Sequence, residues 1–378
     1  MNYDLSDEQN MLKRGSRKFL AKECTGRFVR EMAVDEKGFT EELWQKMADL
    51  DWMGIAIPDQ YGGSGGNFLD LVVLLSEMGY SLLPGPFFSA VVLGGFAVVE
   101  AGDEKQKKTI LPDLALGKKF MTMAWMEEEG RCFPADIKLS ARKENGNYVL
   151  SGSKLFVADA HVSDIIICAA RTAEASEDPC SGISLFLVDA GSPGINLYPL
   201  DTMAGDKQFE VVFNRVEVSA SKLLGESGGG WRILEKVILM AATAKCAEMS
   251  GGAERVMDLV LKHVNQRVQF GRPIGSFQAV QHHCADMLIY LDTLKFMTFQ
   301  AAWKIANGSD FAQEASMCKA LAGEYYRKLI ALAHQVMGGV GFMEEFDLQL
   351  YFKRAAHAEA MFGDGDFHRE LVAQIMGL

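Results

Sequence analysis

The hydrophobic period changes twice along these 378 residues, and that limits the fold more than any other feature of the sequence. From residue 5 to 118, apolar side chains recur at three- and four-residue spacing, with Gly and Pro clusters between the periodic stretches. That spacing predicts helices over 8–22, 41–50, 67–80, 93–101 and 103–116. From Phe120 to about Ser219 the pattern becomes strand-like. Residues 137–142 and 148–152 flank Asn145-Gly146, the dipeptide of a tight hairpin turn, and 165–169, 183–188 and 209–213 are short runs rich in Ile, Val and Phe. After Gly228-Gly229-Gly230 the helical period returns over 231–266, 278–307, 311–337 and 345–361, long enough for an antiparallel bundle. The expected fold is therefore α+β and multidomain: a helical domain (1–118), a compact β-barrel or sandwich (119–222) and a helical bundle (223–378).

Composition excludes several classes. Hydrophobic residues make up 49% and charged residues 23%, a globular balance. The net charge of −12 repels phosphate backbones, and no long Lys/Arg run offsets it, so nucleic acid is not an expected partner. The longest apolar stretch, 82–99, is interrupted by Pro84, Pro86, Gly94 and Gly95, so no membrane span is expected. The acidic start Met1-Asn-Tyr-Asp-Leu-Ser-Asp-Glu8 is unlike a signal or transit peptide, and the expected location is the cytoplasm. Seven scattered cysteines without a Cys-x-x-Cys pair read as free thiols, and the adjacent His282 and His283 face different sides of a helix, so no metal site is expected.

Two segments carry chemistry. Arg267-Val-Gln-Phe-Gly-Arg-Pro-Ile-Gly-Ser-Phe-Gln-Ala-Val-Gln281 places a cation at a helix end and Gln278 and Gln281 on the next helix. A guanidinium pairs two oxygens of a pyrophosphate at once. Gln335-Val-Met-Gly-Gly-Val-Gly-Phe342 ends a helix with Gly338, Gly339 and Gly341, which allow a dinucleotide close to the backbone. The first segment closely resembles R-x-Q-F-G-x-P-I-x-x-F-Q-x-x-Q of the acyl-CoA dehydrogenases, and the second resembles that family's Q-x-x-G-G-x-G-[YF]. Trp52-Met-Gly-Ile-Ala-Ile-Pro-Asp-Gln-Tyr-Gly-Gly63 and Gly102-Asp-Glu-Lys-Gln-Lys-Lys108 are similar to its N-terminal segments. With the order helical, β, helical, the resemblance covers essentially the whole chain.

The resemblance implies FAD held across a subunit interface of a homotetramer, or of a heterotetramer with a homologous subunit. It further implies α,β-dehydrogenation of an acyl-CoA, as in the catabolism of fatty or cyclic acids, with electrons passed to an electron-transfer flavoprotein. It assigns cofactor contacts to Arg267, Gln269, Phe270, Phe277, Gln278, Gln281, Gln335, Gly338 and Gly339, and to Met126, Phe156, Val157 and Ala158 beside the flavin ring. The pattern is broken at the reacting end. Met126 stands where the family's Thr-Glu-Pro offers a hydroxyl, and Phe156-Val157-Ala158 replaces Trp-Ile-Thr. The usual catalytic glutamate aligns with Phe362, and the glutamate used by a minority of relatives aligns with Ala241. Ala242 takes the place of an arginine that normally contacts the thioester.

Three readings follow. The base has moved to Asp364 or Asp366, of which Asp364 is favoured and Asp366 suits the N-cap of the last helix; or the chain is the non-catalytic, FAD-supporting subunit of a heteromeric dehydrogenase for a bulky or cyclic acyl group; or the fold serves a flavin oxidase or monooxygenase. Glu77 reads as a structural or solvated group and Glu127–Glu129 as a solvated edge.

Overall fold

The computed structural model describes residues 4–173 and 177–378. Helices α1 (Asp7–Glu23), α2 (Gly26–Val34), α3 (Glu41–Ala48), α4 (Phe68–Ser81), α5 (Phe96–Ala101) and α6 (Glu104–Ala115) come first. Their starts are set by local chemistry. Ser6 and Gln9 form a reciprocal capping box on α1, Asp103 and Gln106 another on α6, and the Thr40 hydroxyl caps α3. Strands β1 (Met121–Ala124), β2 (Ser140–Glu144), β3 (Asn147–Ala158), β4 (Ile165–Arg171), β5 (Ile183–Asp189), β6 (Ile195–Leu200), β7 (Gln208–Val218) and β8 (Leu223–Leu224) follow. The chain then runs through α7 (Gly230–Gln266), the two-residue strands β9 (Val268–Gln269) and β10 (Arg272–Pro273), α8 (Gln278–Ala306), α9 (Ala312–Met337), α10 (Leu348–Ala360) and α11 (Gly365–Ile375). None of the described helices is long and apolar enough to cross a membrane.

The described residues form two compact units. One holds the chain up to Glu31 with Phe68–Leu83 and Ala242–Leu378; the other holds Met32–Asn67 and Pro84–Ala241. In the second, the sheet runs β6-β7-β3-β2-β4-β5-β8, with β1 added parallel to β4. The β2–β3 hairpin turns at Asn145 and Gly146, both at positive φ, as a mirror-image turn requires. Leu150, Val157, Phe186, Val211 and Phe213 fill the interior of this sheet.

Under the sheet lies an ion pair that corrects the reading of Glu127 as solvated. Lys154, with no exposed surface, donates from Nζ to Glu127 Oε1 at 2.6 Å and to the Trp125 carbonyl at 3.2 Å. The same carboxylate oxygen accepts the Lys138 and Leu139 N–H groups at 2.9 Å each. A charge run was mistaken for a surface edge because its partner comes from β3, far along the chain.

In the first unit, Glu77 is 1% exposed and is gripped by Arg17, whose Nη2 reaches Glu77 Oε1 at 2.9 Å and Glu254 Oε1 at 3.0 Å. It is structural. Gly79 and Gly251 let α4 and α7 cross at backbone contact: an added Cβ would stand 2.0 Å from the Glu248 carbonyl oxygen and 1.7 Å from that of Ser76.

Glu127→Ala is expected to lower the stability of the chain by about 3–5 kcal/mol in urea unfolding, because it strands a buried ammonium. Lys154→Met, which leaves the carboxylate its two backbone donors, is expected to be milder.

Candidate active site

On the β-domain, the structure brings Met126 and Phe156–Ala158 together. Leu155 N–H donates to the Met126 carbonyl at 2.9 Å, and the Thr122 hydroxyl donates to the Ala158 carbonyl at 2.5 Å. Between Lys154 and Val157 the β3–β7 register slips, and Phe156 takes φ +56°, a left-handed conformation rare for an aromatic residue. The slip turns the Phe156 ring out, 43% exposed, and Val157 in, where its side chain is buried in the core. Phe156 thus offers an aromatic face held by a strained backbone, a combination common at binding sites. Val157 can meet a ligand there only through its backbone.

In the helical unit, α7 ends at Gln266, Arg267 follows it, and the chain turns back through Phe270 (φ +53°) and Gly271 (φ +80°). Phe270 is 91% exposed and meets Phe277 edge to face at 5.9 Å; the Arg272 guanidinium lies 4.2 Å from the centre of the Phe277 ring. Among the described residues, the Arg267 guanidinium makes no hydrogen bond or ion pair. No side chain caps α8 at Phe277, so the first N–H groups of a long helix stay open to an anion beside Gln278. Gln269 is exposed on the same hairpin, while Gln281 donates to the Gly275 carbonyl at 3.1 Å and so braces its own loop.

At the end of α9, Gln335 is exposed. Gly338, at φ +58° and ψ −142°, is a position for glycine only, and a Cβ on Gly338 or Gly339 would meet nothing within 4 Å. Gly341 differs, since a Cβ there would sit 3.1 Å from His334 Nδ1. Two glycines leave open space, and the third serves packing. Within the helical unit, an unpaired guanidinium, an uncapped helix start and open glycines suit the anionic linker of a dinucleotide; within the β-domain, the exposed Phe156 ring suits a flat aromatic ring.

The loop between α10 and α11 holds no acid at its buried centre. Phe362 is 1% exposed, at φ +59°, and its carbonyl accepts from His368 Nε2 at 2.9 Å if that nitrogen carries the proton. Buried Lys319 donates to the Glu359 and Gly363 carbonyls at 2.8 Å each. Asp364 is the N-cap of α11, its Oδ1 accepting the Phe367 N–H at 2.9 Å; Asp366 pairs with Arg369 at 3.0 Å. Capping thus falls to Asp364, not to Asp366 as expected, because α11 begins at Gly365. Ala241 and Ala242 on α7 are fully buried. Lys319 and His368 carry no local motif, and sequence reading passed over both.

Profiles of the acyl-CoA dehydrogenase N-terminal, middle and C-terminal domains match residues 6–118, 122–216 and 228–377. The chain is 30% identical over 380 aligned positions to an acryloyl-CoA reductase (NADH) from Anaerotignum propionicum, covering 99% of this chain and 95% of the relative. It belongs to the acyl-CoA dehydrogenase family. Its cofactor is FAD, and it is an oxidoreductase acting on a CH–CH bond. Among solved structures, the ChsE4-ChsE5 complex from Mycobacterium tuberculosis superposes with a TM-score of 0.90 at 25% identity, covering 100% of this chain and 99% of that one. PigA with FAD and proline superposes at 0.92, also at 25% identity and with full coverage of both chains.

Burial, with Lys319 close by, pushes His368 down to about 4 from an ordinary value of 6.5. Above pH 6.5 the ring is neutral folded or unfolded and contributes no pH dependence. Between pH 6.5 and 4 only the unfolded chain takes up the proton, so stability falls by roughly 3 kcal/mol across that window. Urea unfolding at pH 7 and pH 4.5 is expected to show this slope, and His368→Gln to remove it.

Proposed function

We propose that this chain takes part in the α,β-dehydrogenation of an acyl-CoA as the flavin-supporting member of a pair with a base-bearing homologue, and that the electrons leave to an electron-transfer flavoprotein. The observation that carries this reading is the contrast within one chain. The exposed Arg267, Gln278, Gln335, Gly338 and Gly339 are intact and have no competing partners among the described residues, while both positions where the family places its carboxylate hold buried apolar side chains, Phe362 and Ala241.

In this reading Arg267 and the open N–H groups at the start of α8 hold the pyrophosphate, Gln278 and Gln335 orient the adenosine end, and Gly338 and Gly339 let it approach the backbone. Phe156 packs on the flavin ring. FAD, when bound, supplies the acceptor for the hydride leaving the β-carbon. The α-proton must go to a carboxylate, and the homologue supplies it. Likeness to the ChsE4-ChsE5 complex supports pairing of two different chains on this fold.

The second reading keeps the base at Asp364, which is exposed and lies two residues beyond Phe362. Its carboxylate is committed to the Phe367 N–H, which lowers its worth as a base but does not remove it. Asp364→Asn separates the two roles, because asparagine caps a helix as well as aspartate does. The paired-subunit reading expects an acyl-CoA to bleach the flavin anaerobically to the same extent in the native complex and in the complex carrying Asp364→Asn. Loss of bleaching with unchanged flavin content would make Asp364 the base and end the pairing argument.

A further inference from the structure

Within the β-domain, one buried lysine joins the two segments that carry the exposed aromatic face. From Lys154 to Val157 strand β3 advances three residues while its partner β7 advances two, Val211 to Phe209, and the extra residue turns Phe156 outward. The Lys154 side chain has no exposed surface, and its Nζ donates to the Trp125 carbonyl at 3.2 Å and to Glu127 Oε1 at 2.6 Å. Those two acceptors belong to the residues on either side of Met126. The turn that starts at Glu127 also backs the aromatic ring. Gly130 N–H donates to the Glu127 carbonyl at 2.9 Å, and a Cβ added to Gly130 would lie 3.8 Å from Phe156 Cε2. At the far end of the patch, the buried Thr122 hydroxyl holds the Ala158 carbonyl at 2.5 Å.

Stability alone does not account for this pair. Two buried charges give up so much hydration that apolar residues of similar size often serve a fold equally well. What an ion pair adds is direction, because its short hydrogen bonds hold both partners in one geometry. Direction is what the backbone beside it needs. Phe156 holds φ +56°, a conformation that persists in an aromatic residue only where its surroundings over-determine it. A strand with one residue too many can otherwise relax by slipping along its ladder, which would turn the ring to the other face. Lys154 blocks that slip on one side of Phe156, and Thr122 blocks it on the other.

We infer that Lys154 is a positioning residue for the flavin ring. By binding the residues on both sides of Met126, it fixes Met126 against Phe156–Ala158 and keeps the Phe156 ring turned out as a flat support. Lys154 touches no ligand in this role; it acts through Glu127 and the Trp125 carbonyl. The inference rests on the reading above in which Phe156 packs on the ring of FAD.

The test uses the FAD-loaded native complex of the chain with its homologue, and a double variant, Lys154→Met with Glu127→Gln. Methionine keeps the buried length without the charge, and glutamine keeps an oxygen for the Lys138 and Leu139 N–H groups. The pair and its replacement both carry no net charge, so a change at the flavin reports position rather than local potential. Urea unfolding is expected to match that of the parent, while the visible circular dichroism of the flavin changes and FAD release becomes about tenfold faster. Thr122→Val, which removes the hydroxyl at the other anchor, should affect the flavin in the same way, and it decides the matter if the double variant does not fold. Arg215→Met with Glu144→Gln, which neutralises an exposed ion pair of the same domain, should change neither signal; a change of equal size there would make the effect one of fold and overturn the positioning role. An unchanged flavin signal and release rate in the folded variants also overturns that role, and leaves the flavin reading standing. A native complex without FAD, or one whose flavin signal is untouched by Phe156→Ala, overturns both.

Discussion

Lys319 carries its ammonium into the helical unit, 1% exposed, and there meets the carbonyls of Glu359 and Gly363. A charge so placed is tolerated only where oxygen atoms surround it. Here they come from the last turn of α10, where the helix dipole is negative, and from the loop that follows. One contact thus closes α10 and fixes the path of 361–364. His368 ties the Phe362 carbonyl from the other side. Pinned at both ends, the loop buries the Phe362 ring and leaves Asp364 to start α11. The supports of this loop are thus buried and polar, while its buried centre at Phe362 holds no carboxylate.

The same selectivity appears elsewhere. Phe156 retains a strained left-handed backbone that turns its ring outward, though the hydroxyl of the family's pattern is gone two residues later at Ala158. Arg267 and Gln278 retain their exposure and, among the described residues, their freedom from internal partners. A chain drifting without function would lose the exposed, unpaired features first, since nothing in its own fold depends on them. A chain serving a partner's flavin would keep them and could lose its own acid.

Much of this was legible in the sequence, for reasons that differ by element. The long helices of the bundle announced themselves by period, and Asn145-Gly146 by a dipeptide chemistry that turns a tight hairpin readily. Helix α2 was missed because Gly26–Val34 is short and follows a Gly start, and β6 because Ile195–Leu200 contains Pro199 and lies at the sheet edge with little burial. The expected helix from Leu93 begins earlier, as a π-helical turn over Phe88–Gly95 pressed against β1, where a Cβ on Gly94 would lie 2.4 Å from that of Met121. The motif residues around Arg267 could be read because their spacing is local. The Lys154–Glu127, Arg17–Glu77 and Lys319–Gly363 pairs join residues far apart in the chain, and only the fold brings them together.

The role of this chain depends on whether it can hold and use a flavin unaided. The ratio of FAD to polypeptide and the native mass of the chain expressed alone, read from its visible spectrum and from light scattering, test that most directly. A flavin-supporting subunit is expected to carry substoichiometric flavin alone, restored together with activity when a base-bearing homologue is co-expressed. One flavin per chain in a homotetramer that turns over an acyl-CoA by itself would contradict it.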